Sequence, residues 1–379
     1  MGPLDATAWL ERIPEGQRLA AHASTDWRLA AWAVGGLILF GVCVLVSCSG
    51  VLGRLKRALE AERPRPWLTA AASACLLALI LAPLKAAIDA VADWRAEQIL
   101  GAGGASLGAH FAHAAAGIAP AVLGAALLVP PLLWLMRRLP RTWPVLVGSL
   151  IAGLIVAAVW LPYALSAGPP MSPAPPGPVR DGLMRLIAES GVPAHGVFFS
   201  TDPSFDADVT GGFGHAKVSV GPLIAAGPPA EARAFIGHIM GHYVHNDILI
   251  VSLVLGAVML LGCFAVSWLA APLARRIGAP GVSSAGDPEA LPAVAILLML
   301  ALSAAGLAEA GYLRWANVRA DAYSLDHARA PDALISVIER EWDHQSLDPS
   351  PLEEALFYTH PAMAGRIQHA LAWKAAHGG

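Results

Sequence analysis

The residues best placed to do chemistry lie in one short stretch, Gly237-His238-Ile239-Met240-Gly241-His242-Tyr243-Val244-His245-Asn246-Asp247. Pro228-Pro229 precedes it, and Ala230 to Phe235 favours helix. Proline fits the first turn of a helix, where its missing N–H costs little. The spacing therefore predicts that His238 and His242, four residues apart, project from one helix face. In the pattern H-E-x-x-H, two such imidazoles hold a zinc ion and the glutamate between them acts as general base. Here position 239 is isoleucine. The metal-binding spacing is kept and the proton acceptor is absent, a loss that typically lowers a rate by ~10²–10⁴.

Two histidines at this spacing also occur on ordinary helices, so a metal reading needs a third ligand. In such sites it comes from a second helix carrying E-x-x-x-D. Asn317-Val318-Arg319-Ala320-Asp321 has that shape, with Arg314 three residues ahead. His245 is a poor alternative, because seven residues carry it about 10 Å along a straight helix from His238. It reads instead as a polar helix-end residue.

The elements that must position these residues are mostly apolar. The chain has 379 residues, 56% hydrophobic and 14% charged, against about 25% charged in an ordinary soluble domain. The excess sits in long runs with few or no charges, which marks a polytopic membrane protein. Spans are expected at 29–53, 66–88, within 110–136, at 143–165, 248–274 and 290–308. A net charge of −3 does not suggest a nucleic-acid partner. Cys43, Cys48, Cys75 and Cys263 lie in apolar runs and read as small buried residues, with no disulfide framework. Met1 to Asp26 lacks a basic start followed by an apolar core, so no cleavable signal peptide is expected.

Residues 1–166 form a four-span membrane domain, 167–178 a Pro-rich linker that reads as extended, and 179–379 a second domain interrupted by spans five and six. Within it, Val179 to Ser190 is amphipathic at helical spacing. Gly196 to Ser200 reads as a strand, and Ala207 to Val220 as strand, Gly-rich turn and strand in a short antiparallel sheet. The loops after spans one, three and five carry the arginines and lysines. The positive-inside rule makes them cytoplasmic and puts 167–247 on the other face.

In these motifs the chain resembles the membrane-integrated zinc metallopeptidases of the CAAX prenyl protease and HtpX type. The matching elements are Phe235 to His245, Ala207 to Gly212, Arg314 with Asn317 and Ala320 to Tyr323, and His360-Pro361 with Arg366, together covering about 179–370. The resemblance implies an α-helical membrane protein of about six spans with a small α+β zincin-like module, set in a bacterial inner membrane. It implies one zinc ion on His238 and His242, with position 317 as third ligand. Asp321 would orient a ligand histidine, and the stretch Asp206, Ala207, Asp208, Val209 and Thr210 would pair with an extended peptide or membrane-protein substrate. His360 and Arg366 would flank the scissile carbonyl. Ile239 stands where the catalytic glutamate is expected, and Asn317 offers only a neutral amide oxygen, so zinc should bind weakly. The expected function is a metalloendopeptidase scaffold with hydrolysis lost or strongly impaired. The alternatives are a pseudopeptidase that binds peptides or membrane proteins and regulates a partner, and a working enzyme that draws its base from Asp321 or His360.

Overall fold

The computed structural model describes residues 6–101, 103–166, 171–342 and 345–378. Among them, six helical segments are long and apolar enough to cross a membrane: Glu15–Ser49, Pro66–Leu100, Leu107–Arg138, Trp143–Ala164, Asp247–Arg276 and Pro288–Ala328. They lie where the apolar runs predict spans, several extending beyond the run. In the last, the unbroken α-helix Leu291–Ala328 has 38 residues and is about 57 Å long at 1.5 Å per residue. A bilayer core is about 30 Å thick, so this helix is long enough to span and still project the turns that carry Asn317 and Asp321.

The chain divides into two compact units. One comprises 23–152 and 256–305, with a core of apolar side chains such as Val46, Leu77, Leu133, Trp143 and Val266. The other comprises residues up to His22, Gly153–Leu255 and those from Gly306 onward. It contains a four-stranded sheet, β1 Ser172–Pro173, β2 Ala194–Phe199, β3 Ala207–Thr210 and β4 Ala216–Val220, in the order β1-β2-β4-β3. Leu183 and Leu186 of helix Pro178–Ser190, Val197, Val209 and Val218 of the sheet, and Ile236 and Met240 of helix Pro229–Val244 share one core. The tail helices Pro331–Arg340 and Met363–Ala376 bury Ile335, Ile338, Ile367 and Leu371 in a second.

Two expectations are corrected, the antiparallel sheet and the burial of Cys48. The sheet is mixed, because β2 runs parallel to β4; β4 inserts between β2 and β3, so β2 and β3 are not neighbours. In the Pro-rich linker, Ser172 and Pro173 pair in extended conformation with Phe199 and Phe198 of β2, while 167–170 lie outside the described residues. Cys48 is exposed, although Cys43 and Cys263 are buried and all four cysteines are free.

Candidate metal centre

The histidine helix runs Pro229–Val244, with prolines in its first turn as the sequence predicts. It lies very close to the Leu291–Ala328 helix through its two glycines. A Cβ on Gly241 would stand 2.7 Å from the Cα of Ala320, and one on Gly237 would stand 3.1 Å from Ser324 Oγ. Only glycine at 241 permits this approach, since the nearest atom is backbone and cannot swing away. The approach brings His238 within reach of Asp321.

His238 Nδ1 bonds Asp321 Oδ1 at 2.8 Å, and His242 Nδ1 bonds Asp247 Oδ2 at 2.8 Å. The other contacts of both carboxylates are donors. Arg366 Nε and Nη2 each reach Asp321 at 2.7 Å, while Tyr312 Oη and Arg319 Nη2 reach Asp247 Oδ1 at 2.5 and 2.6 Å. Each imidazole therefore gives its Nδ1–H to a carboxylate and keeps a lone pair on Nε2. The two Nε2 atoms face one another at 3.1 Å. Two lone pairs at that distance repel unless a cation lies between them. Tetrahedral zinc ligands at about 2.0–2.1 Å stand roughly 3.3 Å apart, so the pair has the spacing of two ligands to one ion. Burial holds His238 below the ordinary histidine value despite the pull of Asp321, which keeps it in the neutral form that binds metal.

Asn317, one turn before Asp321, is 3% exposed. Its Nδ2 donates to Leu313 O at 2.9 Å and Thr359 O at 3.0 Å. Its Oδ1 is buried with no hydrogen-bond partner, an uncommon state for a buried acceptor and one that a cation would relieve. Two imidazoles and a neutral amide oxygen thus form a donor set that fits zinc, with one weak member. Arg314 clamps the segment before His360, donating to Glu354 O at 2.8 Å and Tyr358 O at 2.7 Å. His360 stacks on His238 with ring centroids 6.4 Å apart. Arg366 spends two of its N–H groups on Asp321, which holds the Nδ1 side of His238.

Ile239 is half-buried and packs against the core shared by the sheet and the histidine helix. Asp206 precedes β3, and Ala207, Asp208, Val209 and Thr210 form it; among the described residues β3 is an edge strand paired with β4 alone, and it lies against the histidine helix. Gly221 permits the strand's entry, because its N–H reaches Asp206 O at 2.6 Å and a Cβ there would strike Phe205 O. One group on the strand is already occupied, as Tyr163 Oη donates to Val209 O at 2.7 Å. Burial raises the Asp208 carboxyl above its ordinary value. A cavity of about 290 Å³ opens beside His238, lined by Phe235, Val337, Ile338, Met363, His360 and Arg366 among others.

Sequence reasoning quoted Asp247 and Arg319 within its motifs but gave them no role, and missed Tyr312. Asp247 folds back onto His242 because Asn246 adopts φ 56°, a left-handed conformation that asparagine tolerates. The available signal was ionisable residues near the ends of apolar runs, which are rare there without a partner. His245 behaves as expected, its Nδ1 bonding Gly241 O at the helix end.

Residues 173–374 match Peptidase family M48. Protease HtpX homologues from Levilactobacillus brevis and Limosilactobacillus fermentum are 32% and 31% identical over 205 and 211 residues, spanning 48% and 49% of this chain and 68% and 69% of theirs. The crystal structure of S. mikatae Ste24p shares the fold, with a TM-score of 0.53 at 15% identity over 91% of this chain and 99% of that one. By sequence and by fold, the chain belongs to peptidase family M48 and is an integral membrane member of it.

Proposed function

We propose that this chain is a membrane metallopeptidase scaffold whose hydrolysis is lost or strongly impaired. The observation that supports it is the state of the carboxylates. Position 239 offers an alkyl group, and Asp321 and Asp247 are both tied to the far nitrogens of the histidines and to arginines. Neither is free to take a proton from an attacking water. His238, His242 and Asn317 would hold zinc, whose chemistry is to polarise a carbonyl and acidify a bound water. The chain's own residues orient the imidazoles, keep their Nε2 lone pairs available and exclude solvent from Asp321. Purified full-length protein should carry well under one zinc per chain and cleave casein or a peptide at background rate. Stoichiometric zinc with chelator-sensitive cleavage would overturn the reading.

A second reading, a pseudopeptidase that binds peptides without cutting them, is favoured by β3, an edge strand that lies against the histidine helix while the base is missing. We further place the basic loops in the cytoplasm and 167–247 across a bacterial inner membrane. Reporter fusions at Gly177 and Ser284 should then report opposite sides, and the same side for both would refute the orientation.

A further inference from the structure

In an antiparallel pair, successive residues turn their backbone groups alternately toward the partner strand and away from it. Gly221 N–H donates to Asp206 O at 2.6 Å, so residues 206, 208 and 210 face β4. The other side of the ladder agrees. Val220, opposite Ala207, turns toward β2, where its O accepts from Ser200 N–H at 3.0 Å. Ala216 likewise donates its N–H to Pro193 O at 3.0 Å. Ala207, Val209 and Gly211 therefore present their N–H and C=O groups to the free edge of β3. That is the edge along which an extended peptide would add.

Most of this edge is taken by the chain itself. Val209 O accepts from Tyr163 Oη at 2.7 Å, and Gly211 N–H donates to Tyr163 O at 2.9 Å. Val209 N–H donates to Asp208 Oδ1 at 2.8 Å. Thr210 Oγ1 donates to Ser166 Oγ at 3.1 Å. Gly212 admits the approach, since a Cβ there would stand 3.0 Å from the Cβ of Ala164. The end of the fourth span thus lies along β3 where a partner strand would lie. Carbonyls in the last turn of a helix need donors, which accounts for the bond to Tyr163 O. It does not account for the Tyr163 hydroxyl on Val209 O, nor for the Asp208 carboxylate on Val209 N–H. Among the described residues, Ala207 N–H and C=O meet no such partner, so a single residue of pairing is left open. We propose that Tyr163 and Asp208 cap the β3 edge, and that an extended peptide pairs along Val209 and Gly211 only when Tyr163 swings away. The proposal rests on the reading of β3 as a peptide-binding edge.

The test uses full-length protein in neutral detergent and fluorescein-labelled β-casein, an unfolded polypeptide, with binding read by fluorescence anisotropy. Tyr163→Phe keeps the ring and removes one competing hydrogen bond, so it should tighten binding about fivefold. Asp208→Ala should do the same, and the two together should give about tenfold or more. Tyr243→Phe removes a hydroxyl that meets His215 O in the β3–β4 turn, away from the free edge, and should stay within about twofold of the parent. Ala207→Pro in the Tyr163→Phe protein removes an outward N–H at an edge position where proline is tolerated, and should weaken binding about fivefold. In the free parent, hydrogen exchange at Val209 and Gly211 should be as slow as at Asp208 and Thr210, which face β4; fast exchange at both would overturn the cap. If no form binds casein, or Ala207→Pro leaves binding unchanged, β3 is not the peptide edge, and the reading and the proposal fall together. If casein binds and Ala207→Pro weakens it, yet Tyr163→Phe binds no more tightly than the parent, the reading stands and the cap is overturned. An equal gain in Tyr243→Phe would mark general loosening and overturn the cap as well. Tyr163→Phe is decisive if Asp208→Ala does not fold.

Discussion

Replacing Ile239 and Asn317 together by glutamate is expected to raise cleavage of casein or a peptide by about 10² or more over the parent, the range a positioned general base contributes. The two substitutions repair different defects. At 317 the parent presents an amide oxygen without a partner, while Nδ2 is tied to Leu313 O and Thr359 O. Glutamate replaces the neutral acceptor by a carboxylate, a usual zinc ligand. It also removes two hydrogen bonds worth about 1 kcal/mol each, a modest cost within a segment that Arg314 still clamps. At 239 the parent presents a branched alkyl group, half-buried against the module core. Glutamate there restores a proton acceptor one residue from His238. Asn317→Glu alone should therefore increase zinc content with little hydrolysis, and Ile239→Glu alone should supply a base with little metal to serve. Zinc content and cleavage rate of the parent, both singles and the double decide it. If the parent cleaves as fast as the double and a chelator stops it, another group supplies the base. His360, stacked 6.4 Å from His238, is then the residue to replace next.

How much of this was legible in the sequence depends on the range of the interaction. The spans were readable because an apolar run of membrane length has few other uses. The histidine helix was readable because its spacing, its proline start and its glycines are local. The orienting pairs were not equally accessible. Asp321 could be named through the E-x-x-x-D shape, one turn from Asn317. The role of Asp247 could not be assigned, because its contact with His242 depends on a single left-handed residue, Asn246, and its other partners, Tyr312 and Arg319, are 65 and 72 residues away. The sheet failed for a similar reason. Local alternation identifies β2, β3 and β4, but nothing local says that β4 lies between the other two and parallel to β2.

Arg366→Ala is expected to destabilise the peptidase module by about 3–5 kcal/mol, the usual consequence of leaving one partner of a buried ion pair uncompensated. Asp321 and Arg366 have side chains only 2% and 11% exposed, and two N–H groups of the guanidinium each meet a carboxylate oxygen at 2.7 Å. Removing the arginine leaves Asp321 buried with a neutral imidazole, His238, beside it and no countercharge. At about 2–4 °C per kcal/mol for a module of this size, the thermal midpoint should fall by roughly 6–20 °C. Arg366→Lys should recover part of that, since it keeps the charge and loses the two-pronged geometry. A second readout separates this role from direct contact with substrate. Asp321 fixes the tautomer and direction of His238, and groups that orient a metal ligand typically affect affinity by about 10–100-fold. In the Asn317→Glu background, where zinc binding is measurable, Arg366→Ala should weaken zinc by that factor. If stability and zinc affinity are unchanged and only turnover of the Ile239→Glu/Asn317→Glu protein falls, Arg366 acts on the scissile carbonyl, and its pairing with Asp321 is incidental.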